Sequence, residues 1–171
     1  MLLGIYLNDH LAGATLAREL ASRSARSNRG TAYGDFLEHL RVEIDEDRGS
    51  LLAIMEVLGV GEDRLKLATA WALEKAGRLK LNGRLLGYSP YSRALELETL
   101  RLGVQGKLAM WLALRHIQPA EPRLERRAID ALIERAEQQA EHLEAHRLRA
   151  AADAFTPAAT PQPDRVGDSA A

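Results

Sequence analysis

The residues best suited to chemistry in this sequence are two polar side chains that interrupt apolar helical seams. Between Leu37 and Leu58, apolar residues recur at alternating steps of three and four, which places them on one face of a helix, and Asp47 takes the place of one of them. His10 interrupts a similar seam of apolar and small residues near the start of the chain. An inward imidazole and an inward carboxylate are groups that bind divalent metal ions or transfer protons.

His10 and Asp47 are expected to face each other. A short turn around Arg29 folds the second helix back on the first, because short connections make consecutive helices antiparallel neighbours. The two residues lie at nearly equal distances along the chain from Arg29, and a helix rises about 1.5 Å per residue, so both should stand at the same height. Glu43 and Glu46 could reach the same space.

Two interpretations of the pair of His10 and Asp47 are open at this point. In the first, the two side chains belong to a metal-binding or proton-transfer site in the core of a helical bundle. In the second, they form a structural hydrogen bond in which each satisfies the other, because a buried polar group without a partner costs about 1–3 kcal/mol. Replacing only one partner would then be more harmful than replacing both.

The rest of the chain favours four long helices, one shorter helix and a tail. Ala, Leu, Arg and Glu dominate the composition, as is typical of packed helices. Residues 1–155 are expected to form one helical domain, and residues 156–171, rich in Pro and Ala without an apolar period, a disordered tail. The expected helices span Leu2 to about Ser27, Thr31 as N-cap to Leu58, Glu62 to about Lys80, Tyr91 to about Ile117, and Arg123 to about Ala154.

Length, charge and cysteine content exclude several classes of protein. A chain of 171 residues can bury a core without disulfides, and because it contains no Cys it has neither a disulfide framework nor a thiolate site. The net charge of −1 gives no field that would attract nucleic acid or an anionic membrane. The first ten residues, MLLGIYLNDH, lack the basic region and the apolar length of a signal peptide or membrane span, so we expect a soluble cytoplasmic protein.

One basic stretch departs from this even balance of charge. The segment from Lys75 to Arg93 contains basic residues and no acidic ones, and Tyr88 and Tyr91 lie among them. It is either a contact for a phosphate group or nucleic acid, or a solvated connection that balances the acidic second helix. We favour the solvated connection, and we do not expect a nucleic-acid partner.

Four long helices with a shorter crossover element between the second and third resemble the ferritin-like superfamily, in which two antiparallel helix pairs are joined by a long connection. The stretch FLEHLRVEIDEDRGSLLAIMEVLG is similar to the second helix of small bacterial ferritin-like stress proteins, where an E-H-L run leads into an acidic stretch and ends at Leu-Gly. The resemblance implies an all-α, up-down bundle with a crossover helix. It also implies a storage, oxidation or stress role that uses iron or another divalent metal.

A di-iron site in that superfamily takes a Glu from each of two helices and a Glu-x-x-His pair from each of the other two. In this sequence the second helix carries Glu43-x-x-Glu46 followed by Asp47 instead. Side chains of the last two helices could join a metal site at the level of His10 only if the third long helix begins at the end of the bundle where the first helix begins. A ferritin-like crossover starts the third long helix at the other end, so these side chains would not reach the level of His10. The candidate metal ligands are His10, Asp47, Glu43, Glu46, Glu96 and His142.

Two functions follow from these alternatives. The first is a bundle that binds a metal ion in its core through His and carboxylate side chains. The second is a non-catalytic interaction or scaffold module that forms a homodimer and keeps His10 and Asp47 as a structural pair.

Overall fold

The computed structural model describes residues 2–63 and 88–156, and over these ranges the chain is helical and contains no strand. The prediction of an all-α protein is confirmed. The expected helix from residue 62 to 80, residues 75–87 of the basic stretch and residues 157–171 of the tail lie outside the described residues, although Glu62 and Asp63 are described and are not helical. The elements are α1 (Leu2–Ser27), α2 (Ala32–Leu58), α3 (Pro90–Ile117), a 3-10 turn (Gln118–Ala120) and α4 (Arg126–Phe155).

Side-chain and glycine caps set the ends of α2 and α3. Thr31 is the N-cap of α2, as expected, and its hydroxyl oxygen accepts a hydrogen bond from the backbone N–H of Gly34. Gly59 ends α2 in the left-handed conformation, with φ 72°. Ser89 caps α3 in the same manner as Thr31, and Pro90 takes the first helical position, where its missing N–H is harmless.

The start of α4 differs from the expectation from the sequence. The helix begins at Arg126 and not at Arg123. The physical reason is that the preceding segment is used for packing: Leu124 is buried in the core, and the Arg123 Nη1 atom donates to the backbone oxygen of Leu58 over 3.2 Å. This contact satisfies a carbonyl group that would otherwise be unpaired at the end of α2.

Contacts between helix ends define the direction of each helix. Ser24 near the end of α1 donates to Glu96 near the start of α3, with an Oγ–Oε2 distance of 2.7 Å. Tyr33 near the start of α2 donates to Asp153 near the end of α4, with an Oη–Oδ2 distance of 2.9 Å. Neighbouring helices are therefore antiparallel, and α2 and α3 run parallel across the diagonal of the bundle. The third long helix thus begins where α1 ends, far from the level of His10.

The apolar core consists of two clusters along the bundle. The first surrounds Leu37, Leu97 and Leu143, and the second surrounds Leu51 and Trp111. Side chains from α1, α2, α3 and α4 contribute to both, so each cluster fills a cross-section of the bundle. The level between the two clusters is where polar side chains enter the core.

One seam position of α2 differs from the strict alternation of three and four, which gives Leu51, Ile54 and Leu58. After Leu51, the buried residue on α2 is Met55, whereas Ile54 is only half-buried. The reason is that a helix with 3.6 residues per turn drifts relative to a strict seven-residue repeat.

None of the helices in residues 2–63 and 88–156 carries the apolar stretch that a membrane-spanning segment requires.

Candidate functional site

A polar layer lies between the two apolar clusters and is built around Asp47. Its side chain is 3% exposed, as the apolar seam predicted. Lys107 of α3 donates its ammonium group to Asp47 Oδ2 and to Gln139 Oε1, and Gln139 Nε2 donates to the same Asp47 oxygen over 3.2 Å. Arg135 of α4 forms an ion pair with the other oxygen, Oδ1. One buried carboxylate of α2 therefore binds side chains of both α3 and α4.

The position of Lys107 makes its charge costly. Burial lowers the pKa of its ammonium group, because a charged amine loses hydration when it leaves water. The adjacent Asp47 carboxylate acts in the opposite direction and raises this pKa, whereas the nearby Arg135 lowers it further. The carboxylate is thus the main group that keeps an ammonium charge tolerable in the core.

A cavity of about 240 Å³ adjoins this layer and lies among α1, α2 and α3. Most of its wall is apolar, and it draws side chains from both clusters, for example Leu100 and Val104 from one and Met110 and Trp111 from the other. An apolar cavity of about 150 Å³ in another protein holds benzene, so this one has room for roughly ten carbon atoms. The polar lining residues are Asp9, His10, Asp47, Arg48 and Lys107.

Glycines keep the cavity open between α1 and α3. Gly13 and Gly103, both exposed, and the half-buried Gly106 line the cavity, and a Cβ atom added at any of them would meet no atom within 4 Å. Glycine within a helix costs about 1 kcal/mol relative to alanine. Each of these positions therefore has space for a larger side chain, which would fill part of the cavity.

His10 lines the same cavity as Asp47, but the two side chains form no hydrogen bond with each other within the described part of the chain. The His10 ring is half-buried and meets the Tyr6 ring edge-on at 4.6 Å between centroids. Burial lowers the pKa of His10, and the charge of Asp9 partly offsets this effect. A neutral imidazole can accept or donate one proton at the cavity wall.

The other candidate ligands lie apart and have partners of their own. Glu43 pairs with His39 at 3.3 Å, and Glu46 is exposed and pairs with Arg135 at 3.1 Å. Glu96 accepts from Ser24 at the end of the bundle that lies away from His10. His142 is on the exposed face of α4. The structure thus brings His10 and Asp47 to one cavity, but not Glu96 or His142.

This arrangement does not fit a metal ion. In residues 2–63 and 88–156, no three His, Asp or Glu side chains are grouped so that they could hold one. The oxygen atoms of Asp47, the most buried candidate ligand, face the cations Lys107 and Arg135. These two side chains occupy the surroundings in which a divalent cation would be expected. Metal binding stays a prediction from the resemblance, without a ligand cluster in the described part of the chain.

Lys107 was missed from the sequence although a signal for it exists. Apolar character alone assigns Leu108, and not Lys107, to the inward face of the third long helix. A strict alternation of three and four gives Leu97, Leu100, Val104, Lys107, Trp111 and Leu114, with the lysine as the single charged member. Five of these residues are buried, and Lys107 has a side chain that is 15% exposed.

A scan against protein-family models found no match to this chain. Searches of curated proteins and of solved structures found none either.

Proposed function

We propose that this protein is a ferritin-like bundle that binds a small, mostly apolar molecule in the cavity beside its central polar layer. The helix order supports the first part, because α2 and α3 run parallel with one long connection between them, as in ferritin-like folds. In this proposal the ammonium group of Lys107 takes the part that a metal ion plays in the superfamily, since it lies beside Asp47 at the centre of the bundle. The storage and oxidation chemistry implied by the resemblance is not part of the proposal.

The observation that carries the binding function is the cavity itself. Binding sites for small molecules are concave and mostly apolar, with a few polar groups that fix orientation. This cavity has an apolar wall, includes His10 and Lys107 at the polar layer, and reaches the surface at the exposed residues Asp9, Gly13 and Gly103. Cores of natural proteins are otherwise close-packed, with few voids larger than one water molecule.

The test is binding of small apolar compounds such as indole, naphthalene and octan-1-ol. The readout is the indole N–H signal of Trp111 in nuclear magnetic resonance spectra, assigned with a Trp71→Phe variant, because Trp111 lines the cavity. We expect saturable shifts of this signal. Gly106→Leu should fill the cavity and abolish these shifts, whereas Gly49→Leu should leave them unchanged. Gly49 is the control because an added Cβ there also meets no atom within 4 Å, but Gly49 does not line the cavity. Equal binding by both variants would refute the cavity as the site.

Self-association is a second candidate, favoured by an apolar row on α3. Tyr91, Leu95 and Leu102 fall on one face of the helix and are 58%, 49% and 63% exposed, and Phe155 lies beside Tyr91 at 6.2 Å between rings. Exposed apolar patches mark interaction sites in many proteins. Light scattering should detect a homodimer, and Leu95→Glu with Leu102→Glu should convert it to a monomer. A wild-type monomer at high concentration would exclude this candidate.

A further inference from the structure

The balance of hydrogen-bond donors and acceptors around the cavity indicates what kind of molecule it accepts. One of its two acidic lining residues already has hydrogen-bond and ion-pair partners, and the other lies at the rim. Both oxygens of Asp47 face cations or amide N–H groups, and Asp9 is exposed at the rim, where its charge raises the pKa of His10. Neither carboxylate is placed to receive a cationic group from a ligand in the interior.

Donors on the cavity wall, in contrast, remain in excess. Arg48 lines the cavity and forms no ion pair with any residue in the described ranges. An ammonium group has three N–H donors, and Lys107 uses two of them on Asp47 and Gln139. A ligand that matches this wall must bring acceptor atoms.

The local charge points in the same direction. Arg48 and Lys107 are the two cations that line the cavity, and Lys107 already pairs with Asp47 whereas Arg48 forms no ion pair within the described residues. A guanidinium group binds a carboxylate through two parallel hydrogen bonds, which neither a neutral amide nor an alcohol can reproduce. An anionic head therefore gains most from this side of the cavity.

We infer that the cavity accepts an apolar carboxylic acid of up to about ten carbon atoms, with its tail between the two core clusters and its carboxylate held by Arg48 and the free N–H of Lys107. This inference rests on the proposed function, because it assumes that the cavity takes a ligand. It adds the chemical class of that ligand and assigns Arg48 as the residue that selects it.

The experiment compares ligands that share one tail and differ in the head. Octanoate, octanamide, octan-1-ol and octylamine are titrated into the full chain by calorimetry at pH 7.5. We expect octanoate to bind at least tenfold more tightly than octanamide or octan-1-ol, and octylamine to bind most weakly. Raising the salt concentration should weaken the binding of octanoate alone, because it screens the charge contact.

Variants of α2 then test the role of Arg48. Arg48→Gln should remove the advantage of octanoate over octan-1-ol. Arg41→Gln is the matched control on the same helix, because Arg41 pairs with Glu38 and does not line the cavity. Circular dichroism verifies that both variants are folded.

The outcomes separate the inference from the function on which it rests. If octan-1-ol and octanoate bind equally, the cavity binds ligands but the preference for an acid is wrong. If Arg48→Gln keeps the full advantage of octanoate, Arg48 is not the selecting residue. If no compound binds to the wild type at millimolar concentration, or if Gly106→Leu still binds octanoate, the proposed function itself fails.

Discussion

Lys107 of α3 donates its ammonium group to Asp47 of α2 across the diagonal of the bundle, between two helices that run parallel. The contact lies between the two apolar clusters, and Gln139 of α4 forms hydrogen bonds with both Lys107 and Asp47. A buried ion pair of this kind restricts which helix levels can meet. A polar layer can define the register of a bundle in this manner, as polar core residues do in coiled coils.

Removing one member of this pair should be more harmful than removing both. Asp47→Leu leaves Lys107 and Arg135 as cations without their shared counter-ion, and we expect a loss of about 3–5 kcal/mol in the free energy of unfolding. The double variant Asp47→Leu, Lys107→Met should recover part of this loss, because one buried charge is also removed. Urea denaturation of the single and double variants measures the difference. Strictly additive losses would show that the two side chains do not interact.

An exposed ion pair provides the control for this cycle. Arg41 and Glu38 pair at 2.7 Å on the surface of α2. Their single and double variants to Gln should be additive and should change stability little, because surface pairs are screened by water.

Asn28 connects the turn between α1 and α2 to the start of α3. Its amide nitrogen donates to the Ser24 backbone oxygen and to the Tyr88 hydroxyl, and its amide oxygen accepts from Arg93 Nε over 2.6 Å. Asn28→Ala should therefore lower the free energy of unfolding by about 1–3 kcal/mol, because it removes three hydrogen bonds of a buried amide side chain. Urea denaturation provides the value. Thr99→Ala, which removes only an exposed hydroxyl, is the comparison, and equal losses in the two variants would contradict this role of Asn28.

Gly34 allows the first turn of α2 to pack against the turn before it. A Cβ atom at this position would lie 2.4 Å from the backbone oxygen of Asn28, which is held in place because it accepts from Thr31. We expect Gly34→Ala to cost about 1–3 kcal/mol through overpacking. Gly49→Ala on the open side of the same helix should instead stabilise by about 0.5–1 kcal/mol through helix propensity. Thermal unfolding of the two variants should shift in opposite directions, and a neutral Gly34→Ala would show that the turn can move.

The ring of His10 should make stability sensitive to mild acid. Burial lowers its pKa below the ordinary value of 6.5, so the unfolded chain takes up the proton first as the pH falls. The stability from a neutral His10 is therefore complete above pH 6.5 and is lost as the pH falls through the pKa of the folded state. The charged groups that line the cavity together with His10 are Asp9, Asp47, Arg48 and Lys107, and of these Asp9 raises the pKa of His10.

Urea denaturation at pH 7.5 and pH 5.5 measures this effect. The wild type should lose stability between the two values, and His10→Gln should lose less. His39→Gln is the control, because the His39 side chain is 76% exposed and lies outside the cavity, and it should behave as the wild type does. An unchanged pH dependence in His10→Gln would show that other groups are responsible.

Local patterns in the sequence were sufficient for the four long helices, apart from the start of α4, and for the inward position of Asp47. Apolar spacing identified the seams, and cap residues such as Thr31 identified helix ends, because both depend on residues within one or two turns of each other. The same logic places His10 and Asp47 at one level, and both line the cavity.

Only the tertiary structure decided which groups meet Asp47. Its partners Lys107, Arg135 and Gln139 come from helices whose direction depends on the long connection between α2 and α3, and no local pattern encodes that direction. The sequence predicted His10 of α1 as the partner, because the short turn between α1 and α2 allows the heights of residues on these two helices to be compared. The structure instead gives Asp47 two cations from distant parts of the chain, since a carboxylate buried in an apolar core is most strongly stabilised by opposite charge.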